Sequence, residues 1–177
     1  IKDAVRAFGG KAAQYSVLAR TDKVPTAKAF AIPIYYYDAF MRENGYYDRL
    51  DALLADSRFT SDSSVRDAEL ALLREAMMHG TIDPTLQALL KAKLALDYPE
   101  GHAMRFRTST NSEDLEGFPC AGCYESHSGD PTDWDDVLNA IRQTYASTLL
   151  FRSFEERTYY GIDHKTVGMA LLVHRNF

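Results

Sequence analysis

The sequence predicts an α/β fold of the α+β kind, in which a mixed sheet carries a layer of helices. Three observations point there. Residues 104–107 alternate, with Met104 and Phe106 set for one face of a strand and Arg105 and Arg107 for the other. Residues 167–173, Val-Gly-Met-Ala-Leu-Leu-Val, run apolar without alternation, as a strand buried on both faces does. Between residues 46 and 96 the chain is a succession of apolar stripes at helical spacing, punctuated by glycine and proline.

Taken in order, an opening segment ends at Phe8-Gly9-Gly10-Lys11, and residues 12–20 read as a short helix with Ala13, Val17 and Arg20 at helical spacing. Val24-Pro25 turns the chain into a short strand over residues 28–32, bounded by Pro33. Residues 35–42 are helical and stop at Asn44-Gly45; the three consecutive tyrosines there are packing residues rather than a stacking platform. Residues 46–54 form an amphipathic helix. Ser64 and Asp67 make a capping-box variant that opens a helix through Met78, stopped by Gly80. Asp83-Pro84 starts another, with Leu86, Leu89, Leu90 and Leu94 on one face. Thr132 and Asp135 repeat the capping pattern. Trp134, Val137, Leu138, Ile141, Tyr145 and Leu149 then mark a long amphipathic helix, which Arg152, Phe154 and Arg157 carry on to Gly161. No internal repeat or low-complexity linker interrupts this order.

Composition narrows the function. With 177 residues, 46% apolar and 12% aromatic, the chain suits one globular domain with a real core. A formal net charge of −5 argues against nucleic-acid and anionic-membrane binding, both of which reward a basic face. No apolar run approaches a membrane span. Two cysteines fit a reducing, cytoplasmic setting.

Residues 105–129 hold most of the chemistry. A strand carrying Arg107 breaks into the hydroxyl-rich run Thr108-Ser109-Thr110-Asn111-Ser112-Glu113-Asp114, and Gly117 and Gly122 follow. Glycines let backbone N–H groups approach an oxyanion, and arginine supplies a rigid charged fork, so the combination suits an anion. Arg107 at the strand end can grip a phosphate with two parallel hydrogen bonds; the alternative is a strand-edge salt bridge with Glu113 or Asp114. Lys11 stands where a cation opposes the helix macrodipole. Either it and the free N–H groups after Gly10 share an anionic ligand, or it is a lysine left in solvent. Cys120-Ala121-Gly122-Cys123 has no second Cys or His pair at zinc spacing and no thioredoxin-like flanks, and Met77-Met78-His79 is core and helix end. No nucleophile-elbow pattern supports a Ser/His/Asp hydrolase.

The wording of these segments is more specific than their composition. Arg107-Thr108-Ser109, then Glu113-Asp114-Leu115, then Ala121-Gly122 resembles the RSS…EDL…AG signature of the phosphoenolpyruvate synthase and pyruvate phosphate dikinase family. That signature belongs to the family's N-terminal nucleotide-binding domain, of the ATP-grasp type. Gly9-Gly10-Lys11-Ala12-Ala13-Gln14-Tyr15 resembles the family's GGKAANL, KVPTAKAFAI is a loosened VPPGFAI, and AIRQTYASTLLFRSFEER resembles AI…WASL…R…R. The family's VAVLVQ strand corresponds to residues 167–173.

The resemblance implies that residues 1–177 are the first part of such an ATP-binding domain, within a longer protein; a start at Ile1 rather than Met agrees. It implies nucleotide-binding roles for Lys11 and Gly10, for Arg107 and Ser109, for Gly122 of a loop that closes over the phosphates, and for Ser126. Ser126 stands at that loop's threonine, whose hydroxyl bonds a phosphate or the magnesium shell. Cys123-Tyr124 replaces the loop's glutamine pair, toward the AGLYDS and AGLYES variants of the water dikinases. The implied activity is phosphoryl transfer from Mg–ATP, through a phosphohistidine on another domain, to an acceptor such as pyruvate or water with a glucan. The alternative is a non-catalytic nucleotide-binding or scaffold module. ATP and Mg2+ are the expected cofactors, and further domains of the same polypeptide the expected partners. No residue of this chain is assigned to catalysis or to metal; the acidic magnesium ligands and a second ATP-grasp subdomain are expected after residue 177. This stretch alone is expected to bind ATP weakly and to be inactive.

Overall fold

A computed structural model describes residues 2–112 and 122–176. Four strands, β1 (Ala29–Ile32), β2 (Met104–Thr110), β3 (His127–Gly129) and β4 (Met169–Arg175), form one sheet in the order β1-β4-β2-β3. Every described ladder is antiparallel. The α+β class is as predicted, but the sheet is not mixed among the described residues. An unbroken apolar run reports burial on both faces, which parallel sheets require and a doubly covered antiparallel sheet equally satisfies. Met169 to Val173 are all buried because β4 is an inner strand, paired with β1 on one side and β2 on the other.

The sheet's two faces are covered by different helices. Helix α1 (Lys2–Leu18) lies against β2 and β4 on one face. The remaining helices are α2 (Ile34–Glu43), α3 (Tyr46–Ala55), α4 (Ser57–Ser61), α5 (Ser63–Met77), α6 (Pro84–Asp97), α7 (Trp134–Ala146) and α8 (Phe151–Tyr159). They supply most of a core that also takes Met104 and Phe106 of β2 and Leu171 and Val173 of β4. Two-residue alternation therefore leaves Arg105, Arg107 and Ser109 on the α1 face. Of the consecutive tyrosines, Tyr37 is buried against Tyr145 with centroids 5.3 Å apart, whereas Tyr35 is exposed. Among the described residues no helix is long and apolar enough to cross a membrane.

Several element boundaries differ from the pattern-based ones. Caps fall on aspartates: Asp62 accepts from the amides of Ser64 and Val65, and Asp133 from that of Asp135, in place of Ser64 and Thr132. A carboxylate at the N-cap satisfies these orphan donors without a reciprocal partner three residues on. Asp83 does cap α6, accepting from the Thr85 amide at 2.6 Å, with Pro84 at the first helical position. The long helix expected from residue 134 to residue 157 is broken by a 3₁₀ turn at Ser147–Leu149 and extended backbone at Leu150.

Candidate functional site

The site begins with a close approach that only glycine permits. Gly9 interrupts α1 with φ 72° and ψ 171°, so the chain enters the helix anew at Gly10. A Cβ on Gly9 would lie 2.1 Å from the carbonyl oxygen of Ser109. Ser109 is fully buried, and its hydroxyl donates to the Phe8 carbonyl at 2.7 Å while accepting from the Ala12 amide at 2.9 Å. One serine thus fastens both sides of the glycine turn to β2.

That fastening sets Lys11 over the strand. The Lys11 ammonium donates to Thr108 Oγ1 at 3.3 Å, across 97 residues of sequence. The backbone amide of Thr108 in turn donates to Ser126 Oγ at 3.1 Å, so Thr108 links the helix start to the far loop. Arg107, the adjacent residue, is exposed and has no hydrogen-bond or ion-pair partner among the described residues. Arg105, two residues back on the same face, donates to Ser128 Oγ at 3.1 Å. Burial pushes the pKa of His127 down, opposed by Glu125 and helped by the charge of Arg105.

Gly122 is reached from Ser126 along a short loop. It is exposed at φ 76°, with no atom of the other described residues within 4 Å of where a Cβ would stand, its chain neighbours aside. Helix α8 holds the loop between them. Ser153 Oγ and Arg152 Nε donate to the Cys123 carbonyl, and Arg152 pairs with Glu125 at 2.9 Å. Arg157 Nη1 donates to the Tyr124 hydroxyl at 3.3 Å.

Five of the six predicted residues, Gly10, Lys11, Arg107, Ser109 and Ser126, therefore form one cluster or adjoin it, and Gly122 lies at the other end of the loop that carries Ser126. Glu113, Asp114, Leu115, Gly117, Cys120 and Ala121 of the motifs lie outside the described residues. Cys123 is disulfide-bonded, against the expectation that two cysteines fit a reducing setting. Sequence reasoning left Thr108, Tyr124 and Arg157 without a role. Thr108 stands inside the motif already quoted, but its part as a hub depends on which helix start reaches it. Among the described residues no group of three or more His, Cys, Asp or Glu is placed to hold a metal, so none of them is assigned to magnesium. A cavity of about 510 Å³, lined by Lys91, Leu94, Tyr98 and Trp134 among others, lies elsewhere and contains none of the predicted residues.

The fold and this cluster define an α+β domain that clasps a glycine turn and a lysine against a strand bearing hydroxyls and arginine. Residues 5–176 match the model of the pyruvate phosphate dikinase AMP/ATP-binding domain, and the chain belongs to that family. It is similar to a phosphoenolpyruvate synthase of Aquifex aeolicus (strain VF5), 29% identical over 158 residues, which are 86% of this chain and 18% of that protein. A rifampicin phosphotransferase of a Streptomyces species is 26% identical over 167 residues, 94% of this chain and 19% of the relative. The phosphoenolpyruvate synthase of Escherichia coli (strain K12) is 24% identical over 155 residues, 86% of this chain and 19% of the relative. The chain spans about a fifth of the length of these relatives. It is an AMP/ATP-binding domain of that family.

Proposed function

We propose that this chain grips the phosphates of ATP through Lys11, Arg107, Ser126, Gly122 and the backbone at Gly10, with Ser109, whose hydroxyl already takes the Ala12 amide, holding the glycine turn in place. The observation that carries the reading is the hydrogen bond from Lys11 to Thr108, which ties a point charge from the helix start to the residue next to Arg107, whose guanidinium has no partner among the described residues. Phosphoryl transfer asks a protein mainly for positioning and charge neutralisation. An ammonium offers a compact charge and a guanidinium a planar fork matched to two phosphate oxygens. No side chain here is proposed as a general base or nucleophile. The whole polypeptide would transfer a phosphoryl group from Mg–ATP through a phosphohistidine on another domain to an acceptor such as pyruvate or water with a glucan. The magnesium ligands would come from a second subdomain after residue 177.

Isothermal titration of the 177-residue chain with Mg–ATP tests this. Weak, saturable binding is expected, without turnover, and weakened about tenfold or more by Lys11→Ala or by Arg107→Ala, since hydrogen bonds to charged groups are the strong ones. Binding that both variants leave intact would overturn the assignment.

A further inference from the structure

Arg157 is 1% exposed, a guanidinium in the interior of the domain. Such a group cannot shed its charge, and burying one is costly unless its donors are met. Among the described residues it has no carboxylate partner; three neutral acceptors surround it instead. Nη2 donates to the Thr148 carbonyl at 2.6 Å, Nη1 to the Tyr124 hydroxyl at 3.3 Å, and Nε to His164 Nδ1 at 3.1 Å. The last bond requires a neutral imidazole with its proton on Nε2, where it can donate to Thr158 Oγ1 at 3.2 Å. Burial and the nearby Arg157 charge push the pKa of His164 down to about 4, so it remains an acceptor at neutral pH. The imidazole also stacks on Phe154, with centroids 3.6 Å apart and planes 6° off parallel. One imidazole and one carbonyl thus orient a fork whose remaining arm reaches out of α8 to a single loop residue.

That loop residue stands midway between Gly122 and Ser126. Tyr124 is buried, and its hydroxyl, held by Arg157, also meets Ser112 Oγ at 3.4 Å, just beyond the end of β2. Cys123 is held by its carbonyl from Ser153 and Arg152, so α8 grips the loop at two consecutive residues. Gly122, immediately before them, has none of the other described residues within 4 Å of its Cβ position, its chain neighbours aside.

We infer that Arg157 and Tyr124 form a clamp that positions the Gly122–Ser126 loop for the phosphates, with Arg157 a positioning residue that never touches the nucleotide. The inference rests on the ATP reading proposed above. A hydrophobic side chain of similar volume would fill the site at less desolvation cost, and a lysine could not reach three diverging acceptors. What the guanidinium supplies is direction. It ties the loop to a helix through a rigid fork, and it keeps a positive charge behind the loop in a medium that screens it poorly.

Tyr124→Phe is the informative variant, because it keeps the ring and removes one hydroxyl. The expected result is faster amide hydrogen exchange confined to residues 122–126, a melting temperature lowered by about 3–6 °C because one buried guanidinium N–H loses its acceptor, and a Kd for Mg–ATP raised roughly fivefold, the worth of one lost hydrogen bond. Arg157→Lys is expected to loosen the same loop, with a larger loss of stability. Unchanged loop exchange in Tyr124→Phe overturns the clamp, whatever the nucleotide does. A loosened loop with an unchanged Kd overturns its role in positioning. Failure of the parent chain to bind ATP at all refutes the nucleotide reading, and the functional half of this inference with it, while the exchange measurement still decides the clamp.

Discussion

Replacing Gly9 by alanine should do more damage than any other single-methyl insertion in the glycine turn, and the structure says why. The backbone at φ 72°, ψ 171° lies in a region that costs a side chain about 1–3 kcal/mol. The new methyl would also stand 2.1 Å from the Ser109 carbonyl oxygen and 2.3 Å from its carbonyl carbon, both backbone atoms that cannot swing away. Ordinary contact begins near 3.4 Å, so α1 must withdraw from β2 by an ångström or more. The two Ser109 bonds, at 2.7 and 2.9 Å, do not survive that, and each contributes about 1 kcal/mol. The expected loss is about 3–5 kcal/mol, a large part of a typical domain's stability, and a fall in melting temperature of about 10 °C. Gly45→Ala supplies the control. Gly45 has a similar φ of 70° but nothing among the described residues within 4 Å of a Cβ, so only a backbone cost of about 1–2 kcal/mol applies. Chemical denaturation of both variants, with ATP titration of each, separates strain from clash. Equal destabilisation by the two, with ATP affinity untouched by Gly9→Ala, would refute the argument that close approach builds the site.

Two further outcomes follow from buried groups. His164 is held neutral in the folded chain, with its pKa down at about 4 against an unfolded value near 6.5. The unfolded chain therefore binds the extra proton first, and the associated stability, fully present above about pH 6.5, is lost as pH falls towards 4. Urea titrations across that window should show a slope that His164→Gln flattens; an unaltered slope would count against it. Tyr145 is fully buried with no partner for its hydroxyl among the described residues. Tyr145→Phe should therefore be neutral or stabilise by up to about 1 kcal/mol, and a loss beyond that would reveal a partner.

Much of this was legible in the chain because its signals are local. The Asp83-Pro84 start, the stop at Gly161 and the unbroken apolar run of β4 each depend on a few adjacent residues, and each is found. The break after Ala146 had a local sign that helical periodicity concealed. Ser147 and Thr148 donate their hydroxyls to the carbonyls of Thr144 and Tyr145, three residues back, and such back-bonding favours a tightened turn over a continued helix. Strand direction was not legible at all, since burial on two faces reads the same in either sense.

The candidate site divides along the same line. Lys11, Arg107, Gly122 and Ser126 could be named from short motifs, but what joins them could not, because the joint is made by the smallest groups present. Gly9 has no side chain and Ser109 only a hydroxyl, and each is commonplace alone. Their meaning comes from contact, in which the absent methyl admits the strand and the hydroxyl closes hydrogen bonds on both sides of the turn. A larger residue at either position would hold Lys11 away from Thr108, and the phosphate site proposed for Lys11 and Arg107 would lose the contact that ties their two segments together. Electrostatics alone would drive two cations apart, so packing between backbone and backbone has to supply the proximity on which the proposed charge neutralisation would depend.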